Sequence, residues 1–239
     1  MKHRLGLVTL LLATWALSAP ALSESATLYE GPLPVKIKDK SVALPVVLSG
    51  QTVAGDDDKL LLNAAARTQD LAPVLKEQLQ ALADDNISAC ELRIKVPEAD
   101  VGANDQLLIL AATVSAEVWV CTSFLKTRLG SETARITAGV TPEIRDGRLY
   151  LEPGTLTIDG IGDLIASIGG DRVLQNLYFQ AVDRFNKDPK LTALPEKLAG
   201  AGFAYQSVGV EASGVQRLTV TIAGPNDLVN LAKIIAGMQ

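Results

Sequence analysis

Apolar and polar positions alternate with a period of two along most of this chain and switch to three-and-four spacing in a few segments, the pattern of strands interrupted by amphipathic helices. Val42 to Leu48 and Leu60 to Ala66 read as the strands of a hairpin across a loop from Gly50 to Asp58. Asp70 is placed to cap a helix, with Pro73 in its first turn. Leu71, Val74, Leu75, Gln78, Leu79 and Leu82 form its stripe, which ends at Asp84 and Asp85. Leu92, Ile94 and Val96 alternate with charged residues, Asp100 to Asp105 is expected to turn the chain, and a long strand runs from Leu107 to Val120. Its apolar face carries Leu108, Leu110, Val114, Val118 and Val120. Ile136, Ala138 and Val140 make a strand ended by Pro142, and an Asp146-Gly147 turn leads into Leu149 and Leu151. Pro153-Gly154 interrupts that strand before Leu156 and Ile158, which suits a bend or an edge.

Beyond Gly160 to Gly170, Asp171 is placed to cap a second helix bearing Val173, Leu174, Leu177, Tyr178, Ala181 and Phe185. Leu191 to Leu198 reads as a linker or short turn. A last hairpin, Phe203 to Val210 and Val215 to Ile222, precedes a helix with Pro225 in its first turn. The predicted class is α+β, one elongated domain with a curved, largely antiparallel sheet.

The first residues change the picture. Lys2 and Arg4 precede the apolar run Leu5 to Leu17, and Ala19-Pro20-Ala21 supplies a small-x-small cleavage pattern. Residues 1–21 are therefore expected to be a cleaved signal peptide and residues 22–239 a single exported domain, periplasmic in location. No cysteine adjoins the cleavage point, so no lipid anchor is expected, and no later run is apolar enough to suggest a membrane span.

Composition narrows the chemistry. Hydrophobic residues make up 48% of the chain and aromatics 4%, so the core must be aliphatic. The 22 basic and 27 acidic side chains give a net charge of −5, which loss of Lys2 and Arg4 takes to −7. Without a basic stripe nucleic acid is not an expected partner. Asp56-Asp57-Asp58 lacks the ligand spacing of a calcium loop and reads as a solvated turn.

The sole histidine, His3, leaves with the leader, which removes Ser-His-Asp and Cys-His catalysis and histidine-bearing metal sites. No metal, cofactor or catalytic residue is expected. Ser123-Phe124-Leu125-Lys126 has the Ser-x-x-Lys spacing of a helical nucleophile and base, leaving a Ser-Lys hydrolase as a minor alternative. Gly160-Ile161-Gly162 lacks the third glycine of a dinucleotide loop, since Ile165 stands there. Pairs such as Asp159 with Asp163 and Glu143 with Asp146 have the residue types of a glycosidase but few aromatics to line a sugar cleft.

Cys90 and Cys121 are expected to pair in an oxidising compartment, which by loop entropy would add about 3 to 4 kcal/mol. A direct pair would set Leu92 opposite Trp119 and Ile94 opposite Glu117, an apolar face against a mixed one. A β-bulge between the cysteines, a Cys90 outside the strand, or a sheet covered on both faces would each resolve this, and the bulge is preferred.

The stretch from Ile136 to Ile222 resembles the carboxyl half of bacterial periplasmic members of the tubular lipid-binding (TULIP) superfamily, related in fold to bactericidal permeability-increasing protein. The resemblance rests on the strand, Asp146-Gly147 turn and strand Arg148 to Ile158, then the helix Asp171 to Lys187. It continues through Pro189 and Pro195 into Phe203 to Glu211 and Arg217 to Ile222. It implies a curved sheet wrapped around a long helix, an aliphatic channel for a lipid or other hydrophobic ligand, and no catalysis. Residues placed to line such a channel are Leu92, Ile94, Val96, Leu108, Leu110, Val114, Val118, Leu174, Leu177 and Tyr178. The alternative function is an envelope assembly module that binds a protein through a sheet edge or the Pro225 helix.

Overall fold

The computed structural model describes residues 25–53, 56–86, 92–163, 166 and 169–236. The expected leader and Cys90 lie outside them. Nine strands and five helices form among the described residues, in two antiparallel sheets rather than the one expected.

The five-stranded sheet joins strands from the early and late parts of the described residues. Its strands are β1 (Ala26–Ile37), β2 (Lys40–Val53), β3 (Asp56–Arg67), β8 (Ala204–Glu211) and β9 (Arg217–Pro225), in the order β1-β2-β3-β9-β8. The β2–β3 hairpin agrees with the alternation, although both strands run further into the expected loop, to Val53 and from Asp56. Sequence pattern gave no warning of β1, which contains Pro32 and Pro34. Proline cannot donate to a ladder, but β1 is an edge strand and tolerates it, with Leu33, Val35 and Ile37 turned toward the protein.

The four-stranded sheet is a meander of β4 (Leu92–Asn104), β5 (Leu107–Cys121), β6 (Lys126–Arg145) and β7 (Arg148–Asp159). Asp100 to Asn104 continues β4 instead of turning. A register shift between Lys95 and Glu98 flips the phase, so that Leu92, Ile94 and Val96 are buried before it and Val101 after it. The bulge lies between Cys90 and Cys121 in the chain, and ahead of it Leu92 pairs with Val118 and Ile94 with Ala116, apolar against apolar, one step from the register of a direct Cys90–Cys121 pair. Pro142 does not end β6, which runs twenty residues. Asp146 and Gly147, both with positive φ, make the expected tight turn. The expected bend at Pro153-Gly154 is a bulge, where the pairing steps from Val140 with Pro153 to Ala138 with Leu156.

Helices α1 (Thr68–Asn86) and α2 (Gly170–Lys187) each begin slightly before the expected cap. Asp70 sits inside the first turn and pairs with Arg67 at 2.7 Å, and α2 is preceded by Gly169 in the left-handed region, with Asp171 in its first turn. The expected linker holds two short helices, α3 (Pro189–Thr192) and α4 (Glu196–Gly200). The last helix, α5 (Leu228–Ala236), starts after Pro225, which ends β9 instead. The Asp227 carboxylate accepts from the Asn230 amide at its start.

Three amide side chains fasten these parts, and each pairs with the backbone of an edge strand. Gln80 of α1 donates to the Ile94 carbonyl at 3.2 Å and accepts from the Val96 amide at 2.8 Å. Asn186 of α2 accepts from Leu151 N–H at 2.8 Å and donates to Leu151 C=O at 2.9 Å. Gln216 accepts from Ala103 N–H at 2.9 Å and donates to Ala103 C=O at 3.1 Å, while its own carbonyl takes the Thr68 amide at 3.0 Å. Both edges of the four-stranded sheet, β4 and β7, thus have part of their unpaired backbone occupied.

Candidate functional site

Even-numbered residues of β5 carry the apolar face of the four-stranded sheet, and the register extends it across the other strands. Leu92 and Val118, then Ile94 and Ala116, are cross-strand neighbours at one end. Ala112 lies between Ala99 and Ile136, and Ile136 faces Ile158. Leu110 lies between Val101 and Ala138, and Leu108 between Ala103 and Val140. The face is aliphatic throughout, with small side chains (Ala112, Ala116, Ala134, Ala138) along its middle.

All ten sequence-derived lining candidates are on or against this face. Leu92, Ile94, Val114, Val118 and Leu174 are buried in one cluster with Ala83 of α1, and Leu177 packs against it. Leu108 and Tyr178 belong to a second cluster with Val101, Ala138, Val140 and Val182, and Leu110 packs on it. Val96 is buried beside the β4 bulge. Val120, expected on the apolar face, is instead exposed. The second cluster also takes in Leu71 and Leu75 of α1, Val210 of β8 and Leu218 of β9, so the two sheets meet there. A third cluster is separate: Leu60, Leu62, Leu198, Phe203, Ile222, Leu231 and Ile234 cover the five-stranded sheet.

Helix α2 lies on the apolar face from Leu174 to Asn186 because its own apolar residues recur every three and four positions. Tyr178 is its polar handle. The hydroxyl donates to the Gly139 carbonyl at 3.1 Å, at the bulge where the β6–β7 register shifts. Gly154 is required opposite, since a Cβ there would lie 2.8 Å from that same carbonyl oxygen. Desolvation raises the Tyr178 pKa above its ordinary 10.0, opposed by the Gly154 backbone amide, and burial raises Tyr205 likewise.

A raised phenol pKa favours the neutral, folded form. Its contribution is complete below the unfolded value of about 10 and is lost as pH rises through the higher folded value. The urea midpoint is therefore expected to fall as pH rises above about 10, and to fall less steeply in Tyr178→Phe/Tyr205→Phe. Equal slopes in the two proteins would contradict this.

The remaining candidates do not assemble. Ser123 and Lys126 lie on the β5–β6 turn and the first residue of β6, so the helical geometry of a Ser-Lys pair is not formed. Glu143 is ion-paired with Arg145, whose guanidinium also meets Glu152 at 3.0 Å. Asp146 is a turn residue. Gly162 packs so closely on the Glu132 carboxylate that a Cβ would clash. A small cleft of about 220 Å³ lies where Gln106, Thr141 and Pro142 approach Val208 to Val210 of β8. Among the described residues no cluster of His, Cys, Asp and Glu has the makings of a metal site, and no helix is long and apolar enough to cross a membrane.

No protein family and no curated protein matches the chain. Among solved structures it is similar to a lipopolysaccharide binding protein, with a TM-score of 0.35 and 12% identity over 87% of this chain. The match spans 40% of that protein's length.

Proposed function

We propose that this protein binds a lipid or another hydrophobic ligand without catalysis, as a tubular lipid-binding relative whose curved sheet encloses α2. The proposed binding surface is the aliphatic face of the four-stranded sheet beneath α2. One observation carries the reading: that face is continuous across four strands, narrows to alanines along its middle, and has an amphipathic helix as part of its cover. A helix held by side-chain contacts and one amide clip can lift further from a sheet than a hydrogen-bonded strand, and alanines leave an acyl chain the least to displace. The ten lining residues above are its proposed contacts. Periplasmic residence after removal of residues 1–21 belongs to the same proposal, because a water-insoluble ligand crossing an aqueous compartment needs a carrier.

Native mass spectrometry of protein purified without detergent, with organic extraction of the same sample, tests the reading. The expected result is a non-covalent adduct that yields a lipid on extraction. Protein of bare chain mass that also takes up no fluorescent fatty acid would overturn it.

A second reading, a module that docks a protein partner, is favoured by one feature. Leu228 and Val229 of α5 are exposed while Leu231 and Ile234 of the same helix are buried. Use of a sheet edge by such a partner is less favoured, given the prolines of β1 and the amides on β4 and β7.

A further inference from the structure

Four exposed large apolar side chains cluster at the tip of the β5–β6 hairpin. Phe124 is 97% exposed, Leu125 63% and Leu129 57%, with Val120 beside them. At the tip β5 and β6 pair with each other, Trp119 with Arg128, Val120 with Thr127 and Cys121 with Lys126, and β7 ends at Asp159, opposite Arg135, well before it. Two hydrogen bonds close the turn: the Thr122 amide donates to the Leu125 carbonyl at 2.8 Å, and the Leu125 amide donates to the Thr122 hydroxyl at 3.1 Å.

Such an exposed apolar cluster costs solubility without return unless something covers it. Its charge says what. From Trp119 to Ser131 the chain contains Lys126 and Arg128 and no acidic residue, within a protein whose net charge is −5. Arg128 leans toward Glu117 at 3.8 Å, and the Arg93 guanidinium lies 4.6 Å from the Trp119 ring centre. Phenylalanine and leucine at an apex, with tryptophan and long cations set just behind, is the composition that partitions into a headgroup layer: apolar groups reach the acyl boundary and cations meet lipid phosphates.

We propose that the β5–β6 tip is a membrane-docking device, inserting Phe124, Leu125 and Leu129 into the surface of an anionic phospholipid bilayer with Lys126 and Arg128 against its headgroups. This stands on the tip alone and does not depend on whether the sheet beneath α2 holds a ligand. A carrier with such a tip would load and unload at a membrane surface.

Vesicle flotation of the full chain tests it, using phosphatidylcholine alone and phosphatidylcholine with phosphatidylglycerol in equal parts. The protein should float with the anionic vesicles, and Phe124→Asp/Leu125→Asp should reduce the bound fraction roughly tenfold or more, since two large side chains lose their transfer energy. Lys126→Glu should weaken binding to anionic vesicles and leave any binding to neutral ones unchanged. The tryptophans are Trp15 and Trp119, so in Trp15→Phe the emission reports the tip, and it should shift to the blue and be quenched by lipids brominated near the headgroup. Thermal melting of each variant checks that it is folded, which the exposure of these side chains leads one to expect. Three results would overturn the proposal. These are equal flotation of wild type and Phe124→Asp/Leu125→Asp, Trp119 emission indifferent to vesicles, and a dimer in gel filtration that Phe124→Asp converts to monomer while vesicles bind neither.

Discussion

Replacing Gly224 by alanine is expected to cost about 2 to 4 kcal/mol, a large loss for adding one methyl group. Gly224 lies on β9 opposite Leu60 of β3, and the Phe203 ring lies flat against it: a Cβ there would come 2.2 Å from Cδ1 and 2.5 Å from Cγ of Phe203. Neither side can give easily. Phe203 is held by Gly202, which takes a φ of 85° just before it, and its ring is buried with Leu60, Leu62, Ile222 and Leu231. Moving β9 would break its ladder with β3, the central strand of the five-stranded sheet. The ring must therefore leave the core or the sheet must distort, and either costs more than the methyl gains. Because one contact carries the penalty, Phe203→Leu should relieve it. Phe203→Leu/Gly224→Ala is expected to be less destabilised than the sum of the single variants, with a coupling of about 1 to 2 kcal/mol in urea unfolding. Strict additivity would mean that the clash is absorbed elsewhere.

The aliphatic faces were legible from alternation alone, since burial of Leu92, Ile94, Val96, Leu108, Val114 and Val118 requires only a two-residue period and a helix to cover it. What alternation cannot convey is a change of phase. The shift at Lys95 to Glu98 turned Val101 inward, so Asp100 to Asn104 looked like a turn although it is strand. Proline misled at Pro142 in β6, because its exclusion from strands holds for positions whose amide must donate and not for outward-facing amides, and the edge strand β1 with Pro32 and Pro34 shows the same tolerance. Division into two sheets was not legible either. It depends on β9 pairing with β3, with Arg67 opposite Arg217 far along the sequence, for which no local pattern exists. The Gln80, Asn186 and Gln216 clips escaped notice for a related reason: a lone amide is unremarkable until its backbone partner is known. The tip was visible in part. In the sequence Phe124-Leu125 is only the interior of a Ser-x-x-Lys pattern; its exposure follows from the turn it occupies between β5 and β6.

Gln216→Leu is the sharpest test of how the two sheets are joined, with an expected loss of about 2 to 4 kcal/mol. Leucine is close to glutamine in size, so little packing is lost and the effect isolates the hydrogen bonds. The wild-type amide meets Ala103 with both its donor and its acceptor, as a neighbouring strand would, and its Oε1 also lies 3.5 Å from the Thr68 hydroxyl. Leucine leaves the Ala103 N–H and C=O without partners at a half-buried site, and such groups cost about 1 to 3 kcal/mol each when water cannot reach them fully. The loss should also be local in a way that cavity formation is not. Hydrogen exchange at the Ala103 amide should accelerate by at least as much as the stability falls, while exchange at Leu62 in the other core follows only global unfolding. Gln216→Glu separates the two bonds. A carboxylate keeps the acceptor for the Ala103 amide but turns a second oxygen lone pair toward the Ala103 carbonyl, so at neutral pH it should recover little of the loss. Protonation restores a donor for that carbonyl, so the deficit of Gln216→Glu relative to wild type should shrink as pH falls through the range in which its carboxyl titrates. Were Gln216→Leu to unfold at the wild-type urea midpoint, the sheets would have to be held by the shared apolar cluster of Val101, Leu108, Val210 and Leu218 alone, with the amide incidental.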